Sequence, residues 1–127
     1  MSGKVDENEK TQPNKQNEKG GPIPAGWYTA DPNIVQKWSD LSITNKFVSS
    51  LPAVEGFKHG AWPGGTFAWG EFRVPLFPLS VGSRGNFFIH GGSRPGSAGC
   101  IDLTKNMNAF VQAFIKYNQI LPLHVKY

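Results

Sequence analysis

Residues 87–103 read Phe-Phe-Ile-His-Gly-Gly-Ser-Arg-Pro-Gly-Ser-Ala-Gly-Cys-Ile-Asp-Leu. The apolar run at residues 87–89 predicts a short buried strand that ends on His90 and holds the backbone of this histidine firmly. Glycines at positions 91, 92, 96 and 99 allow the chain to make a close excursion and to return at Cys100. We therefore expect this loop to bring His90 and Cys100 together.

The residues that follow Cys100 predict one amphipathic helix and one closing strand. Asp102 or Thr104 can cap the start of the helix, which is expected to end near Asn118. The apolar side chains that share one helical face are Met107, Phe110, Val111, Phe114 and Ile115. The closing strand alternates between apolar and polar residues, with Leu121, Leu123, Val125 and Tyr127 on its buried face.

Earlier segments predict short β elements between turns. With 15 glycines and 10 prolines, the chain is expected to be loop-rich and mostly β. Residues 27–29, 67–69 and 72–74 are predicted as strands. The pair Asp31-Pro32 predicts a helix start, because the acid can act as N-cap and proline suits the first helical position. Residues 42–60 stay open between strand and helix.

Composition divides the chain into two parts. Residues 1–20 carry four lysines against one aspartate and three glutamates and hold no aromatic residue, so ordering them would bury too little apolar area to offset the entropy cost. We expect a flexible tail at 1–20 and one folded domain at 21–127, which then carries the whole net charge of +4. The chain contains no run of about eighteen apolar residues, which excludes a membrane-spanning helix.

The distribution of basic residues, the single cysteine and the spacing of the histidines argue against a nucleic-acid partner, a disulfide and a metal. The basic residues form no dense cluster and no helix face, so no nucleic acid is expected as a partner. A single cysteine allows neither an internal disulfide nor a cysteine-rich metal site. His59 and His124 form no metal-binding spacing with His90, so we predict no metal and no other cofactor. The N-terminus lacks the apolar segment of a secretory signal, which predicts synthesis in the cytoplasm.

The residue types around His90 and Cys100 suit acyl transfer. A thiol beside a histidine and near a helix N-terminus favours the thiolate, and a thiolate is a strong nucleophile. The backbone N–H groups of Gly99 and Cys100 can face a developing oxyanion. An inert buried cysteine and a histidine that is merely hydrogen-bonded remain the alternative interpretation of this pair.

The stretch His90-Gly91 followed by Ser97-Ala98-Gly99-Cys100 resembles the signature of the YkuD-type L,D-transpeptidases. It is still more similar to the compact L,D-transpeptidase-like effectors of the type VI secretion system, whose motif reads nearly His-Gly-Gly…Pro-Gly-Ser-Ala-Gly-Cys-Ile-Asp-Leu. The segments at residues 21–28 and 69–76 also resemble these domains. The resemblance covers residues 21–127 and implies a mainly β, β-rich α+β fold: an L,D-transpeptidase-like β-sandwich with one amphipathic helix after the cysteine.

By this resemblance Cys100 is the nucleophile and His90 its general base, oriented by the main-chain carbonyl of Gly91. Gly99 would contribute to the oxyanion hole and Ser97 would fix the loop.

The chain departs from the broader family pattern at two positions. Ala98 replaces a second histidine, and Asp102 replaces an arginine that is common two residues after the cysteine. Asp102 is interpreted as a helix cap. Arg84 and Arg94 are the candidates for binding the substrate carboxylate, with a solvated loop charge as the alternative for each.

The implied activity is that of a peptidoglycan-modifying cysteine enzyme, acting as an L,D-transpeptidase or L,D-carboxypeptidase with D-amino-acid exchange. Its partners would be peptidoglycan stem peptides, an immunity protein and components of the secretion system, and the protein would be a monomer. The resemblance further implies an antibacterial effector toxin, exported by a type VI secretion system to act in the periplasm of a target bacterium. The mild positive charge suits an anionic cell wall.

Two other function classes stay open. One is a non-catalytic peptidoglycan-binding or structural module of a phage or secretion particle. The other is a thiol peptidase or amidase of different fold, although the papain-like and NlpC-type enzymes place their cysteine before their histidine, the reverse of the order here.

Overall fold

The structure is a computed structural model that describes residues 14, 21–49, 62, 65–79, 85–93 and 99–127. The predicted tail at 1–20, apart from residue 14, lies outside this description, as do His59 and the three predicted loop residues Arg84, Arg94 and Ser97.

Six strands in the described ranges form one hydrogen-bonded sheet with the order β5-β4-β3-β1-β6, while β2 pairs with β3. The strands are β1 (Gly26–Ala30), β2 (Gln36–Lys37), β3 (Phe72–Pro78), β4 (Phe87–His90), β5 (Ile101–Asp102) and β6 (Leu121–Val125). Only β4 and β5 run parallel to each other, and the remaining pairs are antiparallel. β3 pairs with β2 through residues 72–73 and with β1 through residues 77–78, so it connects two parts of the sheet.

Three helices accompany the sheet in the described ranges: α1 (Ile43–Ser49), α2 (Gly65–Trp69) and α3 (Met107–Tyr117). α3 is the predicted amphipathic helix, and it ends where predicted because Asn118 adopts the left-handed conformation at φ 52°. Single 3₁₀ turns occur at Pro32–Ile34, Trp38–Asp40 and Thr104–Asn106. None of the helices described is long and apolar enough to cross a membrane.

Two local predictions need correction. Residues 67–69 form the end of α2 and not a strand, because the Gly70 N–H bonds to the Thr66 carbonyl at 2.7 Å and closes a helical turn. Asp31 does cap a turn, since its carboxylate accepts from the Asn33 N–H at 2.9 Å. That turn is a single 3₁₀ turn, however, because the chain is already extended at Val35.

The core lies between α3 and one face of the sheet. Its fully buried members include Val74, Leu76, Phe87 and Ile89 from the strands and Met107, Val111 and Phe114 from the helix. β6 shows the predicted alternation, with residues 121, 123 and 125 half-buried and 122 and 124 exposed. The prediction is wrong for Tyr127, which lies beyond the end of the strand and is 52% exposed. The described chain is thus a sheet-rich α+β fold.

The two ends of the described domain meet beside β1. The Tyr127 hydroxyl donates to the Ile23 carbonyl at 2.7 Å, and the Tyr28 hydroxyl donates to the Pro24 carbonyl at 2.7 Å. Residues 21–24 are all buried.

Candidate active site

Four polar residues form a row across one face of the sheet. Gln36 on β2 pairs with Arg73 on β3, Arg73 pairs with His90 on β4, and His90 pairs with Asp102 on β5. Directly paired residues project to the same face, and neighbours along a strand project to opposite faces. Because Val74 and Ile89 face the α3 core, this polar row occupies the other face.

His90 is held in one orientation by the residue that follows it. Its ring lies 2.5 Å from the Gly91 carbonyl through Nδ1. A carbonyl can only accept a hydrogen bond, so Nδ1 carries the proton and donates, which leaves the lone pair on Nε2. The Trp69 ring packs against the imidazole at a centroid distance of 4.8 Å. The side chain is thus arranged as a base that can take a proton at Nε2.

Burial controls the protonation of His90, which is only 3% exposed. Desolvation lowers the pKa of this histidine from its usual 6.5, against the opposing effects of the Gly91 carbonyl and the Asp102 charge. The charge of Arg73 lowers the pKa further. We therefore expect a neutral imidazole at neutral pH.

Cys100 reaches the same end of the sheet from the neighbouring strand. It lies one residue before β5, whose Ile101 pairs with Ile89 on β4. Cys100 itself lies in a bend outside that strand. Its side chain interacts electrostatically with Arg73, which lies on the same face of the sheet as His90 and Asp102. The thiol is buried, with 4% of the residue exposed.

The expected helix N-terminus at Cys100 is not there. α3 begins only at Met107, after β5 and a 3₁₀ turn at Thr104–Asn106. A helix dipole acts within about one turn of the helix end. The positive end of α3 is therefore too far along the chain to stabilise a thiolate at Cys100.

Close packing fixes the loop that carries Gly91. The Gly91 N–H bonds to the Trp69 carbonyl at 3.0 Å, and the Ser93 N–H bonds to the Phe67 carbonyl at 2.9 Å. Gly92 has a φ of +135°, and a Cβ there would lie 2.7 Å from the Ala68 carbonyl oxygen. Only glycine fits this position, because its backbone meets the backbone of α2 directly.

Gly99 is buried beside Cys100 with a φ of +75°. The structure thus places His90, Gly91, Gly99 and Cys100 at one end of the sheet. The described ranges include none of the other three predicted site residues, Ser97, Arg84 and Arg94.

The prediction that Asp102 caps the helix is wrong, because the N-cap residue of α3 is Asn106 and Asp102 instead binds the start of the 3₁₀ turn before it. Its Oδ1 accepts from the Thr104 N–H at 2.8 Å, which supports the unusual φ of +47° at Thr104. Asp102 is 3% exposed, and burial raises the pKa of its carboxyl above 3.8 while the Thr104 N–H and His90 oppose the rise. Asp102 is therefore both a turn cap and an electrostatic neighbour of His90.

Arg73 is the site residue that the sequence analysis missed. Its guanidinium lies 4.3 Å from the ring centre of Trp62 and 5.0 Å from those of Trp69 and Phe88. Its Nε donates to Gln36 Oε1 at 2.5 Å. The sequence offered one signal for Arg73, which is the only charged residue in the apolar segment that forms β3. Its pairing with His90 depends on a strand register that the sequence does not show.

A polar groove of about 200 Å³ opens next to the glycine loop. Neither His90 nor Cys100 lines it. The residues around it are Thr66, Gly70, Glu71, Gly92, Ser93, Thr104, Lys105 and Asn108. Within the residues placed by the structure, no three His, Cys, Asp or Glu side chains are grouped to hold a metal ion.

We compared the chain with families and proteins that are already characterised. No family model and no curated protein matches it. The chemistry of the site is therefore inferred only from the contacts of its own residues.

Proposed function

We propose that this chain is a peptidoglycan-modifying cysteine enzyme of the L,D-transpeptidase type. The observation that carries the proposal is the fixed tautomer of His90, whose Nδ1 donates to the Gly91 carbonyl. This leaves Nε2 as a base on the polar face of the sheet, and Cys100 lies directly before β5, the strand that pairs with the strand of His90. The L,D-transpeptidase-like β-sandwich is part of the proposal, and the sheet-rich α+β architecture supports it.

The proposed substrate is a stem peptide with a terminal D-alanine. Cys100 Sγ attacks the carbonyl carbon of the diaminopimelate residue while His90 Nε2 takes the thiol proton, and a tetrahedral oxyanion forms. The N–H groups of Gly99 and Cys100 would stabilise this oxyanion. When the C–N bond breaks, the imidazolium returns the proton to the leaving amine of D-alanine, and a thioester remains on Cys100.

A second nucleophile then resolves the thioester. Water, a free D-amino acid or the amine of another stem gives up a proton to His90 as it attacks, and the Cys100 thiol is regenerated. These acceptors yield carboxypeptidase, exchange and crosslinking products, respectively. Because cleavage and exchange would damage a cell wall, we propose an antibacterial effector that acts in the periplasm after delivery by a type VI secretion system, with a matching immunity protein in the producer.

Purified muropeptides test this function directly. The full chain is incubated with tetrapeptide and pentapeptide muropeptides, with and without a free D-amino acid, and the products are identified by mass spectrometry. We expect loss or exchange of D-alanine from the tetrapeptide with the wild type and not with Cys100→Ala. Identical products from the wild type and Cys100→Ala would overturn the proposal.

A second candidate is a peptidoglycan-binding module without catalysis, in which Cys100 is an inert core residue. A thiol in a residue that is 4% exposed is typical of an inert core cysteine. Co-sedimentation with purified cell-wall sacculi distinguishes the two functions, because retained wall binding without any turnover would identify the binding module.

A further inference from the structure

Cys100 lacks the source of positive charge that the sequence suggested. The N-terminus of α3 at Met107 is separated from the cysteine by β5 and a 3₁₀ turn. A reactive thiolate in this position therefore needs another cation nearby.

Arg73 is the cation that the fold brings to this place. It lies in register with His90, on the polar face of the sheet, and interacts electrostatically with Cys100. The other titratable groups that interact across this face, within the described part of the chain, are His90 from β4 and Asp102 from β5. Asp102 is acidic and His90 is neutral at neutral pH, so neither supplies a permanent positive charge.

The surroundings of Arg73 hold its charge in one place. Three aromatic rings, of Trp62, Trp69 and Phe88, lie within 5.0 Å of the guanidinium carbon. Such rings attract a cation through their electron-rich faces and keep it apart from water. The Nε bond to Gln36 fixes the rotation of the guanidinium plane. A partly buried and immobile cation is screened less by solvent and salt than one at the surface.

We propose that Arg73 is a positioning residue that stabilises the negative charge which Cys100 acquires when His90 takes the thiol proton. The aromatic residues and Gln36 act through Arg73 by holding its guanidinium in place. This inference rests on the proposed function only in taking Cys100 to be the nucleophile.

The test measures how fast iodoacetamide alkylates Cys100 as a function of pH, with the modified peptide quantified by mass spectrometry. The full-length wild type is compared with Arg73→Met, which removes the charge and keeps a long side chain. Lys37→Gln is the matched control, since it also removes one positive charge but lies on β2 next to Gln36, on the opposite face of the sheet.

At pH 6 we expect Arg73→Met to react about ten-fold more slowly than the wild type, with the midpoint of its profile about one pH unit higher. At pH 10 the two rates should converge, because the thiol is ionised in both proteins. A purely structural role for Arg73 would instead change the plateau at high pH. Lys37→Gln should follow the wild-type profile within about two-fold. A midpoint in Arg73→Met that matches that of Lys37→Gln overturns the inference.

If circular dichroism shows that Arg73→Met does not fold, the variant Gln36→Glu provides the test. Gln36→Glu places a carboxylate against the guanidinium and offsets its positive charge, so the midpoint should rise as well. An unchanged midpoint overturns the inference.

The muropeptide assay distinguishes a failure of this inference from a failure of the proposed function. A shifted midpoint in a protein without turnover refutes the function alone, and wild-type turnover with unshifted variants refutes the role of Arg73 alone.

Discussion

The side chain of His90 combines two constraints that a general base needs. The Gly91 carbonyl fixes which nitrogen carries the proton, and burial disfavours the charged ring. An imidazole oriented in this way is ready to accept a proton at Nε2 without first having to turn or lose a proton. The dependence of the activity on pH therefore tests whether His90 acts as the proposed base.

The acid limb of the activity profile should lie below pH 6.5. Burial lowers the pKa of His90 from 6.5, so the imidazole stays neutral as the pH falls through that value. We expect kcat/KM for release of D-alanine from a tetrapeptide to hold at pH 6.5 and to decline only at lower pH. A decline centred at or above pH 6.5 in stopped time-point assays would contradict this assignment.

Replacing Asp102 by asparagine should stabilise the protein at neutral pH. Burial raises the pKa of this carboxyl above its unfolded value of 3.8, so the folded state holds the proton more tightly than the unfolded chain does. Stability from this group is therefore present below pH 3.8 and is lost as the pH rises through the folded pKa. Asparagine removes the buried charge and can still accept the Thr104 N–H through its side-chain oxygen.

Urea unfolding at pH 7 checks this expectation, with Asp102→Ala as the control that lacks the acceptor. Asp102→Ala should be about 1 kcal/mol less stable than Asp102→Asn, because it loses the cap of the turn. The gain of Asp102→Asn over the wild type should shrink as the pH is lowered toward 3.8. If both variants are destabilised equally at pH 7, the buried charge is not the controlling factor.

Part of the site could be predicted from local sequence, and part could not. The strand that ends at His90 and the turn at Gly91 could be predicted, because they depend on a short apolar run and on the two glycines directly after the histidine. The pairing of Arg73 with His90 depends on how β3 registers with β4, which local sequence does not show. The helix N-terminus expected near Cys100 is absent for a related reason, because spacing alone did not show that β5 would precede the helix.

Among the elements, α2 and the loop after His90 depend on each other. The loop runs along the backbone of α2 and is bonded to it at Trp69 and Phe67. α2 in turn carries Trp69, which packs on both His90 and Phe88. The position of the histidine is therefore set by a backbone-to-backbone contact that leaves no room for a side chain.

Gly92→Ala tests this contact. Its new Cβ would lie 2.7 Å from the Ala68 carbonyl oxygen at a φ of +135°, so α2 and the loop must separate. We expect a loss of about 1–3 kcal/mol in the free energy of unfolding, together with reduced activity. Gly85→Ala is the control, because a Cβ there meets nothing within 4 Å. Equal stability of the two variants in urea titrations would contradict the structure of this loop.

Most elements were predicted correctly, but not α2. α3 and β6 follow from helical spacing and from alternation, and β1, β3 and β4 follow from short runs of apolar and β-favouring residues. α2 consists of Gly65–Trp69, and an apolar run of this length suits a strand or a helical turn equally well. Left-handed glycines lie at its two ends, Gly65 and Gly70, and the Gly70 N–H closes the turn on the Thr66 carbonyl.

At the scale of the whole molecule, residues near the two ends of the folded domain contact each other. Ile23 is 2% exposed, and its carbonyl accepts the hydroxyl of Tyr127. Residues 21–24 thus belong to the core, whereas the composition of residues 1–20 predicts that they add nothing to it.

Two deletions test this boundary. Removing residues 1–20 should leave the urea midpoint unchanged, since neither the core nor the net charge of the domain is altered. Removing residues 1–24 should cost about 3 kcal/mol or more, because it uncovers the space filled by Ile23 and removes the acceptors of two tyrosine hydroxyls. A drop in midpoint already after the shorter deletion would show that the first twenty residues support the fold.

The pairing of Tyr127 with Ile23 also determines how the domain could be joined to other proteins. Both ends of the folded chain lie at the β1–β6 side of the sheet, whereas Cys100 lies beside β5 at the other edge, about 19 Å away at the usual strand spacing. A fusion partner or carrier attached after Tyr127 would therefore begin at the edge of the sheet that lies away from the thiol.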